Sequence, residues 1–175
     1  MQKWLPATLP ALISATWGGQ AFAAGIDVKV EIPRLNVAEY HRPYVAVWLE
    51  RPDQSTATHL AVWYQQSDGP EGKGTKWLKD LRQWWRKGGR ELNMPFDGVS
   101  GATKPAGEHG LSFTEGKAPF AKLPAGDYQL VVEAAREVGG RELVRVPFTW
   151  PPKGAQSLKA EGKEELGAVS LQLKP

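Results

Sequence analysis

The chain has 175 residues, a formal net charge of +3 and no cysteine. The missing thiols exclude a disulfide scaffold, thiolate zinc, an iron–sulfur cluster, c-type haem attachment and a lipoprotein anchor. Hydrophobic residues at 41% and charged residues at 23% are globular values, and a charge this mild and dispersed does not point to nucleic acid.

The chain opens with the parts of a secretory leader over residues 1–24. Lys3 supplies positive charge, Leu5–Ala15 is apolar, and Ala21-Phe22-Ala23 has the small-x-small form of a cleavage site. The apolar run is too short to cross a bilayer, which takes about 20 residues, and no later run is long enough. Cleavage after Ala23 or Ala24 leaves one domain over residues 25–175. The expected location is the periplasm, with the mature chain soluble.

Ile26–Ile32 alternates apolar and polar residues, the period of a half-buried strand. Tyr44–Glu50 and Thr58–Tyr64 read as strands close enough to form a hairpin. Ser67–Thr75 reads as a loop. In Lys76–Lys87 the period changes: Trp77, Leu78, Leu81, Trp84 and Trp85 recur at spacings of three and four, which predicts one amphipathic helix. On this reading Trp77, Leu81 and Trp84 face a sheet and Gly88-Gly89 ends the helix. Leu92–Gly110 is rich in glycine and proline and reads as a long loop, the kind that often carries function. A short strand at Leu111–Phe113, a hairpin of Tyr128–Ala135 with Arg141–Thr149, and a last strand at Leu166–Leu173 complete the chain; Pro151–Glu165 is polar and loosely specified. The expected fold is mainly β, an immunoglobulin-like β-sandwich with one inserted helix.

No nucleophile elbow, P-loop or dinucleotide glycine fingerprint is present, so no catalytic residue is assigned. His41, His59 and His109 lack ligand spacing, and no metal site is assigned. Eight tryptophans are many for this length. They serve either a packed core or a stacking surface for a planar ligand.

One segment in the long loop stands apart: Asp97-Gly98-Val99-Ser100-Gly101-Ala102-Thr103. As a plain turn, its glycines free the backbone and its hydroxyls cap it. It also resembles the flavinylation motif Asp-Gly/Ala-x-Ser/Thr-Gly-Ala-Thr of the flavin subunits of sodium-pumping NADH:quinone oxidoreductase and the Rnf complex. That resemblance implies FMN joined by a phosphoester to Thr103, placed there by an FAD:protein FMN transferase. Asp97 would serve recognition by the transferase, while Gly98, Ser100, Gly101 and Ala102 complete the motif. In such a carrier Trp84 and Trp85 are candidates to stack on the ring, and Arg82, Arg86 and Arg90 to meet the phosphate.

The segments YVAVWLE, KWLKDLRQWWR, DGVSGATKPAGEHGLSF, LPAGDYQLVVEAAREVGGRELV and ELGAVSLQL, in this order, resemble a family of predicted periplasmic proteins, domain-of-unknown-function family 2271. Members tend to be encoded near PepSY membrane proteins and FMN transferases, which implies a PepSY-type membrane redox partner. The family often has His before the Gly-Gly-Arg-Glu turn; this chain has Val138. Two functions are expected on these grounds. One is a periplasmic electron-transfer flavoprotein, a redox carrier more than an enzyme with its own substrate. The other is a non-catalytic immunoglobulin-like binding or scaffold module, suggested by the segment Leu123–Ala135, which resembles the Leu-Pro-Ala-Gly hairpins of structural immunoglobulin-like domains.

Overall fold

The structure, a computed structural model, describes residues 23–55, 57–69 and 72–175. The expected leader covers residues 1–24, and its first 22 residues lie outside the described residues. The domain beyond it is mainly β. In chain order the strands are β1 (Gly25–Ile32), β2 (Tyr44–Glu50), β3 (Ala57–Tyr64), β4 (Asp68–Gly69), β5 (Gly72–Lys73), β6 (Ser100–Ala102), β7 (Gly107–Thr114), β8 (Gly126–Ala135), β9 (Arg141–Trp150), β10 (Gln156–Glu161) and β11 (Ala168–Lys174). They form a four-stranded sheet ordered β10-β11-β1-β7 and a five-stranded sheet ordered β6-β3-β2-β8-β9, besides the short β4–β5 ribbon.

The two large sheets enclose one core. In β1 the alternation expected from sequence places Ile26, Val28, Val30 and Ile32 inside, with Asp27, Lys29 and Glu31 outside. These pack with Val47 and Leu49 of β2, Leu130 and Val132 of β8, Val146 of β9 and Leu171 of β11. The β2–β3 and β8–β9 hairpins both form, antiparallel throughout.

Strands β2 and β3 are apolar on both faces, so the five-stranded sheet needs a second cover. Ala46, Trp48, Val62, Tyr64 and Val131 point away from the shared core and pack with Leu78, Leu81, Trp84 and Val99. The cover is the segment predicted as a single helix. It is in fact broken: a 3₁₀ helix spans Gly74–Asp80 and α1 spans only Arg82–Arg86. At the break Leu81 donates its N–H to the Leu78 carbonyl at 3.2 Å. A 3₁₀ turn aligns residues three apart, so Leu78 and Leu81 drive into the sheet together. Trp77 is thereby turned outward and is 38% exposed, which corrects its expected place against the sheet.

The expected long loop also proves partly ordered. Ser100–Ala102 is β6, laid parallel to β3 at the sheet edge, and β7 begins at Gly107 rather than Leu111. The polar stretch before the last strand holds β10, an edge strand on β11.

Candidate functional site

Each residue of the Asp97–Thr103 segment has a definite place. Gly98 has φ +73°, the left-handed region that a side chain disfavours. Val99 is buried in the outer cluster, and its carbonyl accepts the Val62 N–H at 2.8 Å. The Ser100 hydroxyl oxygen accepts the Phe96 N–H at 2.8 Å, and the Ser100 amide donates back to the Phe96 carbonyl at 2.9 Å. At Gly101 a Cβ would stand 3.1 Å from the Trp63 ring, tighter than ordinary packing. Asp97 and Ala102 are exposed. Thr103 donates its N–H to the Tyr64 carbonyl at 3.2 Å; its hydroxyl has no hydrogen-bond partner among the described residues.

Thr103 also lines a cleft of about 970 Å³, at the large end of the range for small-molecule sites. Its floor is set by strand order. Across one end of the five-stranded sheet the cleft touches Thr103 after β6, Gln65 after β3, Tyr44 of β2, Ala135 of β8 and Arg141 of β9. Tyr44 stands opposite Ala135, and Ala135 opposite Arg141. One residue per strand thus paves a path from Thr103 at one edge to Arg141 at the other. Four inter-strand spacings make that path roughly 19 Å long.

The walls are held by carboxylates. Fully buried Glu133 of β8 accepts the amides of Gln83 at 3.1 Å and Trp84 at 2.8 Å, and the Arg141 guanidinium at 3.0 Å. It therefore pins the start of α1 to the sheet. Arg136 forms a two-pronged pair with Glu165 at 2.8 and 3.0 Å, and Glu165 also accepts the Gly140 amide at 2.7 Å. That hydrogen-bonded pairing raises the already high pKa of the guanidinium and fixes the β8–β9 turn. Glu142 accepts four successive amides, Lys163 to Leu166. Burial alone would push its pKa up; the four donors outweigh burial and hold it below the usual carboxylate value.

Inside the cleft His41 lies between Glu39 at 2.8 Å and Glu137 at 3.5 Å. Arg42 and Arg82 line it without an ion pair or hydrogen bond among the described residues. Two aromatics face it: Tyr44, whose hydroxyl donates to the Gly74 carbonyl at 3.1 Å, and Trp77. Burial raises the Tyr44 pKa, so its phenol stays protonated at neutral pH. Gly69, Gly72 and Gly74 also line it and bring no side chain of their own.

Sequence reasoning reaches this cleft only in part. Thr103 lines it, as does Arg82. Trp84 does not: it is fully buried against the sheet, its ring edge-on to His59 at 5.8 Å between centroids, and so has no free face for a ligand. Trp85 is half-buried and packs on the same cluster, while Arg86 is exposed and donates to the Gln83 side chain at 2.6 Å. Arg90 lies 3.7 Å from Glu91. None of these four borders the cleft. The aromatic that does, Trp77, reads as a core residue from sequence because an unbroken helix puts it beside Leu81 and Trp84. Tyr44, Arg42 and His41 carry no motif; only the strand order joins them to Thr103.

Among the described residues no three His, Asp or Glu side chains cluster as metal ligands, and no helix is long and apolar enough to cross a membrane. No curated protein and no solved structure matches the chain. The family described as "Predicted periplasmic protein (DUF2271)" matches residues 25–168. That match covers well over half of the sequence, and the chain belongs to the DUF2271 family of predicted periplasmic proteins.

Proposed function

We propose that this protein is an exported electron carrier whose flavin is FMN bound covalently to Thr103. One observation carries the reading. The last residue of the flavinylation-like segment has an unengaged hydroxyl and lines the large cleft. Attachment by an FAD:protein FMN transferase balances simply. The Thr103 hydroxyl oxygen forms a bond to the flavin-side phosphorus of FAD, the diphosphate bond breaks, AMP leaves, and the hydroxyl proton is released.

The cleft suits such a group. Its volume accommodates a fused ring, Tyr44 and Trp77 supply aromatic faces, and Arg42 and Arg82 supply unpaired positive charge that favours an anionic reduced flavin. The flavin supplies reversible one- and two-electron chemistry when bound. The chain's own residues hold it, exclude water from one side and set the charge around it. Covalent attachment keeps the cofactor on a protein that works outside the cytoplasm. A PepSY-type membrane redox protein is the proposed electron partner. The test is the visible spectrum of protein exported from a host that has the transferase. A flavin band that dithionite bleaches and air restores supports the carrier; a colourless protein contradicts it.

A second reading has its own observation. Every motif residue from Gly98 to Gly101 is explained by the fold: a left-handed turn, a core contact, a hydroxyl closure and clearance for Trp63. On that basis the domain is an immunoglobulin-like binding module of the periplasm, with the segment serving only to lay down β6. The same spectrum separates the two.

A further inference from the structure

We infer that the cleft contains a seat for a planar heteroaromatic ring, centred on Tyr44 and Trp77 and two strands away from Thr103. This rests on the carrier reading for the ring's identity but stands on geometry of its own. Thr103 sits beyond β6, and β3 separates β6 from β2, where Tyr44 begins its strand. Two inter-strand spacings place Tyr44 about 10 Å from the Thr103 edge. A phosphoester and ribityl tether from the Thr103 oxygen to the ring nitrogen has eight bonds. At the roughly 1.2 Å advance per bond of an extended chain it reaches about 10 Å. The tether therefore spans β3 and delivers the ring over β2.

What waits there has the composition of a ring site. Trp77 is 38% exposed, although a tryptophan seven residues later in the same cover is fully buried. Its ring lines the cleft and already holds a cation, Lys76 Nζ lying 4.7 Å from its centroid. The half-buried Tyr44 ring is steadied by its bond to the Gly74 carbonyl and by an edge contact with Tyr64 at 6.3 Å. Arg42 precedes Tyr44 by two residues. Arg82 opens α1, which Glu133 fixes above β8. Both unpaired guanidinia thus stand at the ring end of the path, where positive charge favours an anionic reduced ring over a neutral oxidised one.

The seat need not bind tightly. A short tether gives an effective concentration of about millimolar, so weak intrinsic affinity suffices to dock a ring that cannot leave. The experiment uses protein made without the transferase, its mass confirmed as unmodified, and titrates free FMN from micromolar to about 5 mM, the range set by that effective concentration, while following flavin fluorescence. The expected result is saturable quenching that Trp77→Leu weakens at least tenfold and Trp85→Leu leaves unchanged. Thermal midpoints check that both variants fold; Tyr44→Phe, which keeps the ring, should bind within twofold of wild type. A strictly linear titration, or equal binding by wild type and Trp77→Leu, overturns the seat. The two claims fail separately. Saturable binding by a chain that the transferase never modifies removes Thr103 attachment and keeps the seat. A modified chain with no site for free FMN does the reverse.

Discussion

The amide of Thr103 donates to the Tyr64 carbonyl at 3.2 Å, continuing the parallel pairing of β6 with β3 past its last residue. The backbone of Thr103 thus belongs to the sheet, while its side chain belongs to the cleft. This division separates fold from chemistry at a single residue. Removing the hydroxyl leaves the backbone bond intact, so Thr103→Ala should unfold within about 0.5 kcal/mol of wild type. Denaturant titration checks this.

The outer cover gives a sharper stability contrast. Leu81 is fully buried and Trp77 is 38% exposed, though both fall on the apolar pattern of one segment. Leu81→Asp places an unpaired carboxylate in the cluster beneath α1 and should cost at least about 3 kcal/mol. Trp77→Asp should cost well under half of that. Equal losses in urea denaturation would return Trp77 to the core.

His59 lies under α1, edge-on to Trp84, and burial pushes its pKa below the usual value of 6.5. The folded state therefore holds it neutral, whereas the unfolded chain takes a proton near pH 6.5. Its contribution to stability is complete above that pH and is lost as pH falls through 6.5 toward the folded-state value. Wild type should lose more thermal stability between pH 7.5 and 5.5 than His59→Gln does. Parallel melting curves for the two proteins would contradict this.

Val138 has φ +52° at the tip of the β8–β9 turn and is 75% exposed. A β-branched residue is strained there, and asparagine tolerates the left-handed region better. Val138→Asn should raise stability by about 1 kcal/mol. An unchanged or lower melting temperature would show that the turn relaxes at no cost.

The fold favours one of the two expected cleavage positions. The Ala24 carbonyl accepts the Glu115 N–H at 2.8 Å, and Ala24 packs against the shared core. Cleavage after Ala23 keeps this bond; cleavage after Ala24 removes it. N-terminal sequencing of the exported protein should begin at Ala24. A start at Gly25, or at Met1, would contradict the assignment.

The strands are legible in the sequence where one physical pattern dominates. β1 shows strict alternation because one of its faces is wet. β2 and β3 read as continuous apolar runs because both faces are covered, and that double burial is itself a sign that something lies over the sheet. The break at Leu81 is not legible: 3₁₀ and α segments share spacings of three, and the choice is made by Glu133, fifty residues away, which takes the amides of Gln83 and Trp84. β6 is hidden for a similar reason. Ser-Gly-Ala has no apolar pattern, and its pairing with Val62–Tyr64 is parallel and distant in sequence. The cleft inherits both difficulties. Thr103 announces itself by motif, but Tyr44, Trp77 and Arg42 join it only through strand order, which no local pattern encodes.

The proposed carrier stands or falls with FMN on Thr103. Its most direct test is the intact mass of wild type and Thr103→Ala, each co-expressed with an FAD:protein FMN transferase and exported. Wild type should gain the mass of one FMN less one water, with in-gel flavin fluorescence at the same band, and Thr103→Ala should show neither. An unmodified wild-type chain, or an alanine variant with the same added mass, would contradict the account.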